Sequence, residues 1–376
     1  MIGNQRHLFD IPESVTYLNC ASQSPLLRAS VTAGEKGVSR KAHPWGSMRE
    51  DAAREAEEAR ALFARLIGAT ADDIALVPAT SYGMAVAAAN LDVGGGQEIL
   101  VLQEQFPSNY YAWHHLAETR KARIVAVRRP DDGDWTSAVL SHIGVDTAIA
   151  ALPPCHWTDG SRLDLETIGA ACRSVGAALA IDGTQFVGAA PFDVESVQPD
   201  FMVCSGYKWL LCPYSLAFLY VAPHRQTGVP IEFHAAARRG GRSASGYALD
   251  YVDTARRFDM GERNNFISLP MAVAALTQLN DWTPQSVASG LAPLIQQVAD
   301  GAVERGYQVP PAAHRVSHFI GLRAETPTAN DLVDRFAAEG VYISLRGGGI
   351  RVSPHLFADG FDIDRFFDVL DRHRGN

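Results

Sequence analysis

The chain has 376 residues, of which 47% are hydrophobic and 20% are charged, and its formal net charge is −9. This length predicts two domains, and the composition is that of a soluble globular protein. The sequence has no basic cluster, no apolar signal core near its first residues and no apolar stretch long enough to span a bilayer. We therefore expect neither a nucleic-acid nor a membrane partner.

Short apolar runs alternate with segments of helical periodicity over the first two thirds of the chain. The predicted strands are residues 98–102, 123–128, 147–152, 177–181, 201–204 and 216–221. Buried strands that alternate with helices are typical of an α/β fold with a mainly parallel sheet covered on both faces. In such sheets ligands bind beyond the carboxyl ends of the strands, so the residues after each run are candidates for function.

The pattern changes further along the chain. Residues 236–247 are rich in glycine, serine and arginine and predict a mobile loop, whose arginines suit either an acidic substrate or plain solvation. After Asn280 a helical tract, short strands and a final amphipathic helix predict a smaller α+β unit. The five cysteines have neither CxxC pairing nor zinc-site spacing, so we predict free cytosolic thiols and no metal site.

The first candidate site residues follow predicted strands. Thr80 and Ser81 precede an alanine-rich helix, where hydroxyl groups and backbone N–H groups can bind an anion or simply cap the helix. Phe106 follows the run EILVL, where its ring could cover a planar cofactor or belong to the core. No glycine-rich dinucleotide or P-loop pattern occurs, which disfavours a nucleotide site.

An acid and a lysine complete this set. Asp182 follows a buried run, where it either forms an Asp-Gly turn or holds a cation. Lys208, one of only four lysines, lies between aromatic residues before an apolar run. It either extends its ammonium group to solvent or is desolvated and reacts with a carbonyl. A lysine, an acid for a ring nitrogen, a phosphate site and a stacking ring are together the requirements of pyridoxal phosphate (PLP).

In these residues the sequence resembles the class V aminotransferase family of fold-type I PLP-dependent enzymes, from YLNCASQSPL (17–26) to the last helix. The family includes cysteine desulfurases, kynureninases and isopenicillin N epimerase-like proteins. In this resemblance Lys208 matches the Schiff-base lysine of an S-x-[HY]-K pattern. Ser205 and Tyr207 match positions that contact the cofactor phosphate.

The resemblance also assigns the remaining cofactor residues. Thr80 and Ser81 match the phosphate-binding pair at the helix start, and Asp182 matches the partner of the pyridine nitrogen. Gln185 matches the residue that faces the phenolic oxygen of the cofactor. Phe106 matches the ring-stacking position.

Three matches concern the substrate and one concerns the surroundings of the cofactor. Arg351, in IRVSPH, matches the arginine that binds the substrate carboxylate, and a planar guanidinium suits that role. Arg346 is a second candidate that would reach a side-chain group or a loop, and Ser22 is assigned to substrate binding. Trp157 matches a position near the cofactor.

The resemblance implies a large PLP-binding domain over residues 15–275 with a mainly parallel seven-stranded sheet. Residues 1–14 and 276–376 would form the small domain. It also implies a cytoplasmic homodimer, because the family's sites are usually completed by a second subunit.

Two departures from the family pattern carry information. Residues 344–355 contain no nucleophilic cysteine, so we do not expect a persulfide-forming desulfurase. The family's Gly-Thr pair, which reaches the phosphate of the partner subunit, corresponds to MGERNNF (260–266). Arg263 or Asn264 would have to replace the threonine there.

The expected reaction is aminotransfer or β-elimination on an α-amino acid held by Arg351, with Lys208 as the general base. A kynureninase-like enzyme, a cysteine or cysteine-sulfoxide C–S lyase and an epimerase remain alternatives. A non-catalytic PLP-binding protein and an α/β enzyme without a cofactor are further ones.

Overall fold

The computed structural model describes residues 2–46, 48–240, 242–243, 246–325, 329 and 331–373. The helices in these parts are α1 (Arg28–Ala42), α2 (Met48–Leu66), α3 (Thr80–Asn90), α4 (Tyr111–Arg120), α5 (Trp135–Leu140), α6 (Leu165–Val175), α7 (Val194–Val197), α8 (Ser268–Trp282), α9 (Pro284–Glu304), α10 (Leu332–Ala338) and α11 (Gly360–His373). The strands are β1 (Thr16–Tyr17), β2 (Ile74–Val77), β3 (Glu98–Leu102), β4 (Arg123–Val127), β5 (Thr147–Leu152), β6 (Ala178–Asp182), β7 (Phe201–Ser205), β8 (Ala217–Val221), β9 (Arg242–Ser243), β10 (Gly246–Tyr247), β11 (Ile320–Leu322), β12 (Val341–Tyr342), β13 (Ser344–Arg346) and β14 (Gly349–Val352).

A seven-stranded sheet organises the larger part of the molecule, in the order β2-β8-β7-β6-β5-β3-β4. Strands β3 to β7 pair in parallel, whereas β8 is antiparallel to both β7 and β2. Apolar clusters cover both faces of the sheet, which explains the nearly continuous apolar runs of its strands. The predicted α/β fold with a mainly parallel seven-stranded sheet is confirmed.

The sheet contains one strand that the sequence analysis missed. Strand β2 consists only of the four buried residues IALV, and it follows a 3-10 turn directly. Because β8 runs opposite to its neighbours on either side, β2 has the same direction as β7. The carboxyl ends of β2, β3, β5, β6 and β7 therefore lie at one edge of the sheet.

A smaller three-stranded sheet, in the order β11-β14-β13, is built by the C-terminal part of the chain. One of the short strands predicted after Asn280, VYISL (341–345), is divided there into β12 and β13, and β12 pairs in parallel with β1. An isolated bridge between Asn19 and Ser353 adds to this contact. The domain division at residues 15 and 275 stays a prediction.

The loop predicted over residues 236–247 contains three residues, 241, 244 and 245, that lie outside the described ones. In its described part β9 pairs antiparallel with β10. The side chain of Arg238 donates to the Leu249 carbonyl and the Tyr251 hydroxyl, and Arg239 pairs with Asp253. No helix in the described ranges has both the length and the apolar character that a membrane span requires.

Candidate active site

A cavity of about 300 Å³ opens at the edge of the sheet where the parallel strands end. Its lining includes the lysine and all of the residues that the sequence analysis assigned to a cofactor. These are Thr80, Ser81, Phe106, Trp157, Asp182, Gln185, Ser205, Tyr207 and Lys208. Residues separated by as many as 128 positions in sequence thus meet in one concave site.

Hydroxyl groups cluster at one end of the cavity. Thr80 Oγ1 lies 2.7 Å from Ser205 Oγ and 3.0 Å from Thr184 Oγ1. The N-cap of α3 is Ala79 and no side chain caps this helix, so Thr80 and Ser81 do not serve the capping role that was the alternative. Exposed N–H groups at a helix start next to three hydroxyl groups form an anion site.

The start of α3 is brought close to the sheet by Gly83. A Cβ atom at this position would lie 2.6 Å from Val203 Cγ2, in β7. The helix therefore packs on the strand that ends with Ser205, and this close approach lets Thr80 reach the serine.

Asp182 is the last residue of β6 rather than the residue after it, as the sequence had suggested. Its Oδ1 accepts a hydrogen bond from the Thr184 N–H at 3.1 Å. Burial raises the pKa of the carboxyl group, and the Thr184 hydrogen bond and Lys208 only partly oppose this. No ion pair to Asp182 occurs among the described residues, so a cation in the cavity would find an unpaired acid.

Lys208 lies on the turn that follows β7, and only 5% of the residue is exposed. Burial lowers the pKa of its ammonium group to about 8, against the opposing effect of Asp182. Gly206 allows the turn, since a Cβ there would lie 2.8 Å from the Leu216 carbonyl oxygen. The lysine is thus desolvated, and the alternative of a solvent-reaching ammonium group is wrong.

Aromatic rings form one wall of the cavity. Lys208 Nζ lies 5.1 Å from the centroid of the Phe106 ring, which packs edge-on against Trp157 at 5.2 Å. Phe106 is half-buried and lines the cavity, so it is not the core residue that was the alternative. The indole N–H of Trp157 donates to the Glu104 carbonyl at 2.7 Å, which fixes the ring.

Gln185 and Tyr207 line the same cavity. Gln185 Oε1 accepts from the Trp209 indole N–H at 2.9 Å, and its Nε2 donates to the Ala21 carbonyl at 2.8 Å. One amide N–H of Gln185 therefore remains for a ligand oxygen. The ring of Tyr207 contacts that of Tyr214 at 4.5 Å, and burial raises the pKa of the Tyr207 hydroxyl.

The three residues assigned to the substrate are not among those that line the cavity, but Ser22 is a shared partner of both arginines and Arg351 also contacts the lining residue Trp157. Arg351 Nη1 donates to the Trp157 carbonyl at 2.8 Å, and its Nη2 donates to Ser22 Oγ at 2.7 Å. Arg346 Nη2 reaches the same Ser22 Oγ at 3.4 Å. Burial, and then Arg346, lower the pKa of Arg351 to about 9.

The five cysteines are all buried. Cys155 is the one that lines the cavity within the described part of the chain, and its thiol lies 3.5 Å from the Gln185 carbonyl oxygen. Burial raises the pKa of this thiol well above its ordinary value of 9.0. Such a thiol is a poor nucleophile, because the thiolate is the reactive form.

The segment over residues 260–266 differs from the expectation. Arg263 Nε lies 2.9 Å from Asp259 Oδ2, in a carboxylate that also binds the buried Arg60. Its guanidinium group therefore has an acidic partner within its own chain, whereas Asn264 is exposed. This arrangement does not support Arg263 as a replacement for the missing threonine.

Several lining residues were missed from the sequence. Thr184 joins the hydroxyl cluster, and its position in the run DGTQ, directly after a buried strand, could have indicated it. Gln105, Ser108 and Tyr214 also line the cavity. They lie in the turns after β3 and after Lys208, where no residue pattern distinguishes a lining side chain from a solvated one.

The residues at the cavity fit PLP. An unpaired buried carboxylate suits a protonated ring nitrogen, and a desolvated amine suits an aldehyde. The hydroxyl cluster at the start of α3 suits a phosphate, and Phe106 offers a flat face.

A comparison with protein families matches residues 27–275 to the model of "Aminotransferase class-V". An uncharacterized aminotransferase of Bacillus subtilis is 27% identical over 354 residues, which cover 94% of this chain and 92% of the relative. An isopenicillin N epimerase of Streptomyces clavuligerus is 27% identical over 220 residues, or 56% of this chain and 54% of the epimerase.

Solved structures of similar fold cover nearly the whole chain. The apo structure of a cysteine desulfurase from Thermococcus onnurineus has a TM-score of 0.86 at 17% identity, covering 99% of this chain and 98% of that one. A variant of the lyase C-DES with glycine covalently linked to its PLP cofactor has a TM-score of 0.89 at 18% identity, with coverage of 97% and 98%. At these identities the likeness shows the fold alone.

Proposed function

The chain belongs to the class V aminotransferase family, and from this we propose that it is a PLP-dependent enzyme that removes the α-proton of an amino acid, as an aminotransferase or a β-lyase. One observation carries the proposal. The desolvated Lys208 shares one cavity with the unpaired Asp182 carboxylate and the Thr80–Ser205 hydroxyl pair. A non-catalytic binding protein would have no need of a lysine whose pKa is lowered to about 8.

When bound, PLP supplies an aldehyde that reacts with amines and a ring that accepts the electrons of a carbanion. Asp182 would hold a proton on the ring nitrogen, because a buried carboxylate that forms no ion pair within the described part of the chain stabilises that charge. Thr80, Ser205 and the N-terminus of α3 would bind the phosphate. Phe106 would cover one face of the ring, and the remaining N–H of Gln185 would donate to its oxygen.

Lys208 would move the proton. Because its pKa is about 8, about a tenth of Nζ is a neutral amine at pH 7 and about half at pH 8, far more than for an exposed lysine. A neutral amine can accept the α-proton of the substrate and return it elsewhere. The aromatic wall of Phe106 and Trp157 limits the access of water to this amine.

Arg351 would bind the α-carboxylate of the substrate and fix its orientation. Its side chain is held from two sides by the Trp157 carbonyl and Ser22, and the residue is only 1% exposed. A buried guanidinium without a carboxylate partner favours an anionic ligand strongly.

Members of this family catalyse different reactions on amino acids, and we rank them here for this chain. Aminotransfer and β-elimination are proposed first, and kynureninase-like cleavage, C–S cleavage and epimerisation follow. Persulfide formation is less favoured, although relatives named probable cysteine desulfurases exist. The absence of a cysteine from residues 344–355 and the raised pKa of the buried Cys155 thiol support this ranking.

A cytoplasmic homodimer is part of the proposal. Tyr214 lines the cavity yet is 66% exposed, and the exposed side chains of Phe233, Tyr247 and Leu249 add further apolar surface. Exposed apolar surface of this kind is typical of an interface. Light scattering after size-exclusion chromatography would measure the molar mass in solution. The mass of a monomer would contradict the proposed homodimer.

The function is tested first by the visible spectrum of the purified protein with PLP, recorded before and after addition of borohydride. The protein is then incubated with a panel of amino acids, and the products are identified by mass spectrometry. The proposal expects a band that borohydride removes, and a Lys208→Ala variant without it. A variant as coloured as the wild type would overturn the assignment of Lys208. A keto acid with pyridoxamine phosphate identifies an aminotransferase, whereas a released side-chain fragment identifies a lyase.

A further inference from the structure

Arg346 and Arg351 lie on the same face of two paired strands. In the antiparallel register of β13 and β14, Ser344 is opposite Arg351 and Arg346 is opposite Gly349. Side chains alternate along a strand, so Arg346 shares the face of Ser344 and is the diagonal neighbour of Arg351. Both guanidinium groups then converge on one hydroxyl oxygen, Ser22 Oγ, at 3.4 and 2.7 Å.

Among the described residues, the half-buried Arg346 and the buried Arg351 have no acidic partner, as is also true of the buried Arg257, whose guanidinium donates to the backbone carbonyls of Val252 and Gly228. Arg60 binds Asp259 at 2.6 Å, and Arg129 binds both Asp159 and Glu104. Neither Arg346 nor Arg351 forms an ion pair with any of the described residues. Two neighbouring guanidinium groups without counter-charge repel each other, and the cost falls when anions bind to them.

A second cavity, of about 130 Å³, begins at Arg346. Three guanidinium groups and two carboxylates line it, namely Arg129, Arg323, Arg346, Asp131 and Asp159. Asp159 is committed to Arg129, and neither Arg323 nor Arg346 has an acidic partner among the described residues. Arg346 thus contacts Ser22, the partner of Arg351, and also lines the second, positively charged cavity.

The loop arginines offer no comparable site. Arg238 is committed to a carbonyl and a hydroxyl of its own loop, and Arg239 is committed to Asp253. The ion pair of Arg239 does not support it as a substrate contact. Arg238, like Arg346 with the Leu345 carbonyl and Ser22, donates to a carbonyl and a hydroxyl, but its partners lie in its own loop and not beside Arg351. If the substrate carries a second negative charge, Arg346 is better situated to bind it.

We propose that the substrate is an α-amino acid with a second anionic group on its side chain, a carboxylate, sulfinate or sulfonate, which Arg346 binds while Arg351 binds the α-carboxylate. This inference rests on the proposed function, because it takes the cavity of Lys208 as the place where the α-amino group lies. Ser22 spaces the two guanidinium groups, so that one substrate can contact both.

The test compares acidic amino acids with neutral analogues of similar size on the PLP-loaded enzyme. Aspartate is paired with asparagine, glutamate with glutamine, and cysteine sulfinate with S-methylcysteine. The readout is the dissociation constant from the shift of the visible band, which requires no knowledge of the product. Wild-type enzyme and the variants Arg346→Gln, Arg346→Lys and Arg351→Gln are titrated. Arg335→Gln is the control, since Arg335 lies on α10 in an ion pair with Asp331.

We expect wild type to bind at least one acidic member about tenfold or more tightly than its neutral partner. Arg346→Gln abolishes this preference and changes the affinity for the neutral partner by less than about threefold, whereas Arg346→Lys retains part of it. Arg351→Gln weakens both members of each pair, and Arg335→Gln behaves as wild type.

Two outcomes overturn the inference. Equal weakening of acidic and neutral members by Arg346→Gln means that both arginines hold a single α-carboxylate. No acidic preference in the wild type means that Arg346 binds nothing on the side chain. Absence of a borohydride-sensitive band instead rejects the proposed function, so the two failures are told apart.

Discussion

Thr80 Oγ1 and Ser205 Oγ lie 2.7 Å apart, although 125 positions separate them in the chain. The contact joins the first turn of α3 to the carboxyl end of β7, and Thr184 adds a third hydroxyl at 3.0 Å from Thr80. Each hydroxyl can rotate its proton toward an anion, because all three are both donors and acceptors.

Replacement of Thr80 by valine keeps the shape of the side chain and removes its hydroxyl. We expect PLP affinity to fall by about 10- to 100-fold, since a hydrogen bond to a charged group contributes about 1.5–3 kcal/mol. Equilibrium dialysis of PLP against the apoenzyme measures this. Thr119→Val, whose hydroxyl bonds only to backbone carbonyls of α4, is the matched control. Unchanged affinity of the Thr80 variant would place the phosphate elsewhere.

The capture of PLP by the apoenzyme depends on the protonation of Lys208. Burial lowers the pKa of this group from 10.5 to about 8, so its neutral form falls tenfold for each pH unit below 8. Because only the neutral amine attacks an aldehyde, the capture rate should rise between pH 6 and 8 and level off above. Stopped-flow absorbance over pH 6–9 measures the rate at which the apoenzyme captures PLP. A rate that still rises tenfold per pH unit between pH 8 and 9 would contradict the desolvation of Lys208.

The same shift affects stability. The unfolded chain binds a proton at Lys208 up to pH 10.5, whereas the folded apoenzyme releases it near pH 8. The contribution of this group to the free energy of unfolding therefore rises with pH between about 8 and 10.5. Urea unfolding of wild type and Lys208→Met at pH 7.5 and 9.5 checks the sign, because the variant lacks this contribution.

Arg351→Gln should weaken the binding of amino acids by about 2–5 kcal/mol, the range for loss of one member of a buried charge pair. The reason is that the buried guanidinium has two polar contacts, and no acid pairs with it in the described ranges. Titration of the visible band measures the change. Arg335→Gln is again the control, and unaltered affinity in the Arg351 variant would remove this residue from the substrate site.

Asp259→Asn should lower the free energy of unfolding by up to about 3–5 kcal/mol, because it leaves the buried Arg60 with only the half-exposed Glu57 as an acidic partner among the described residues. Asp259 accepts from both terminal nitrogens of Arg60 and from the Leu76 N–H at 2.8 Å. Urea denaturation provides the measurement. In contrast, Asp253→Asn breaks the exposed pair with Arg239 and should change stability by less than about 1 kcal/mol. Equal effects of the two substitutions would contradict this reasoning.

Much of the cavity could be predicted because parallel strands end at one edge of a sheet. Asp182 and Ser205 end neighbouring strands, so their position after apolar runs indicated a shared site. The position of Thr184 after a buried strand could have indicated its role, whereas that of Arg263 could not, because its partner Asp259 is fixed by Arg60, 199 positions away. The convergence of Arg346 on Ser22 joins residues 324 positions apart, and no local pattern encodes it.

The pairing of β1 with β12 has a consequence for biosynthesis. The residues that line the PLP cavity lie between positions 78 and 216, whereas the substrate contacts join Ser22 to Arg351. On the ribosome, the residues of the cavity therefore emerge well before β13 and β14, although Gln185 and Trp209 still contact His318, which is translated later. Only after β13 and β14 emerge can Arg346 and Arg351 contact Ser22, which is translated early. The ability to select an amino acid is therefore acquired at the end of translation.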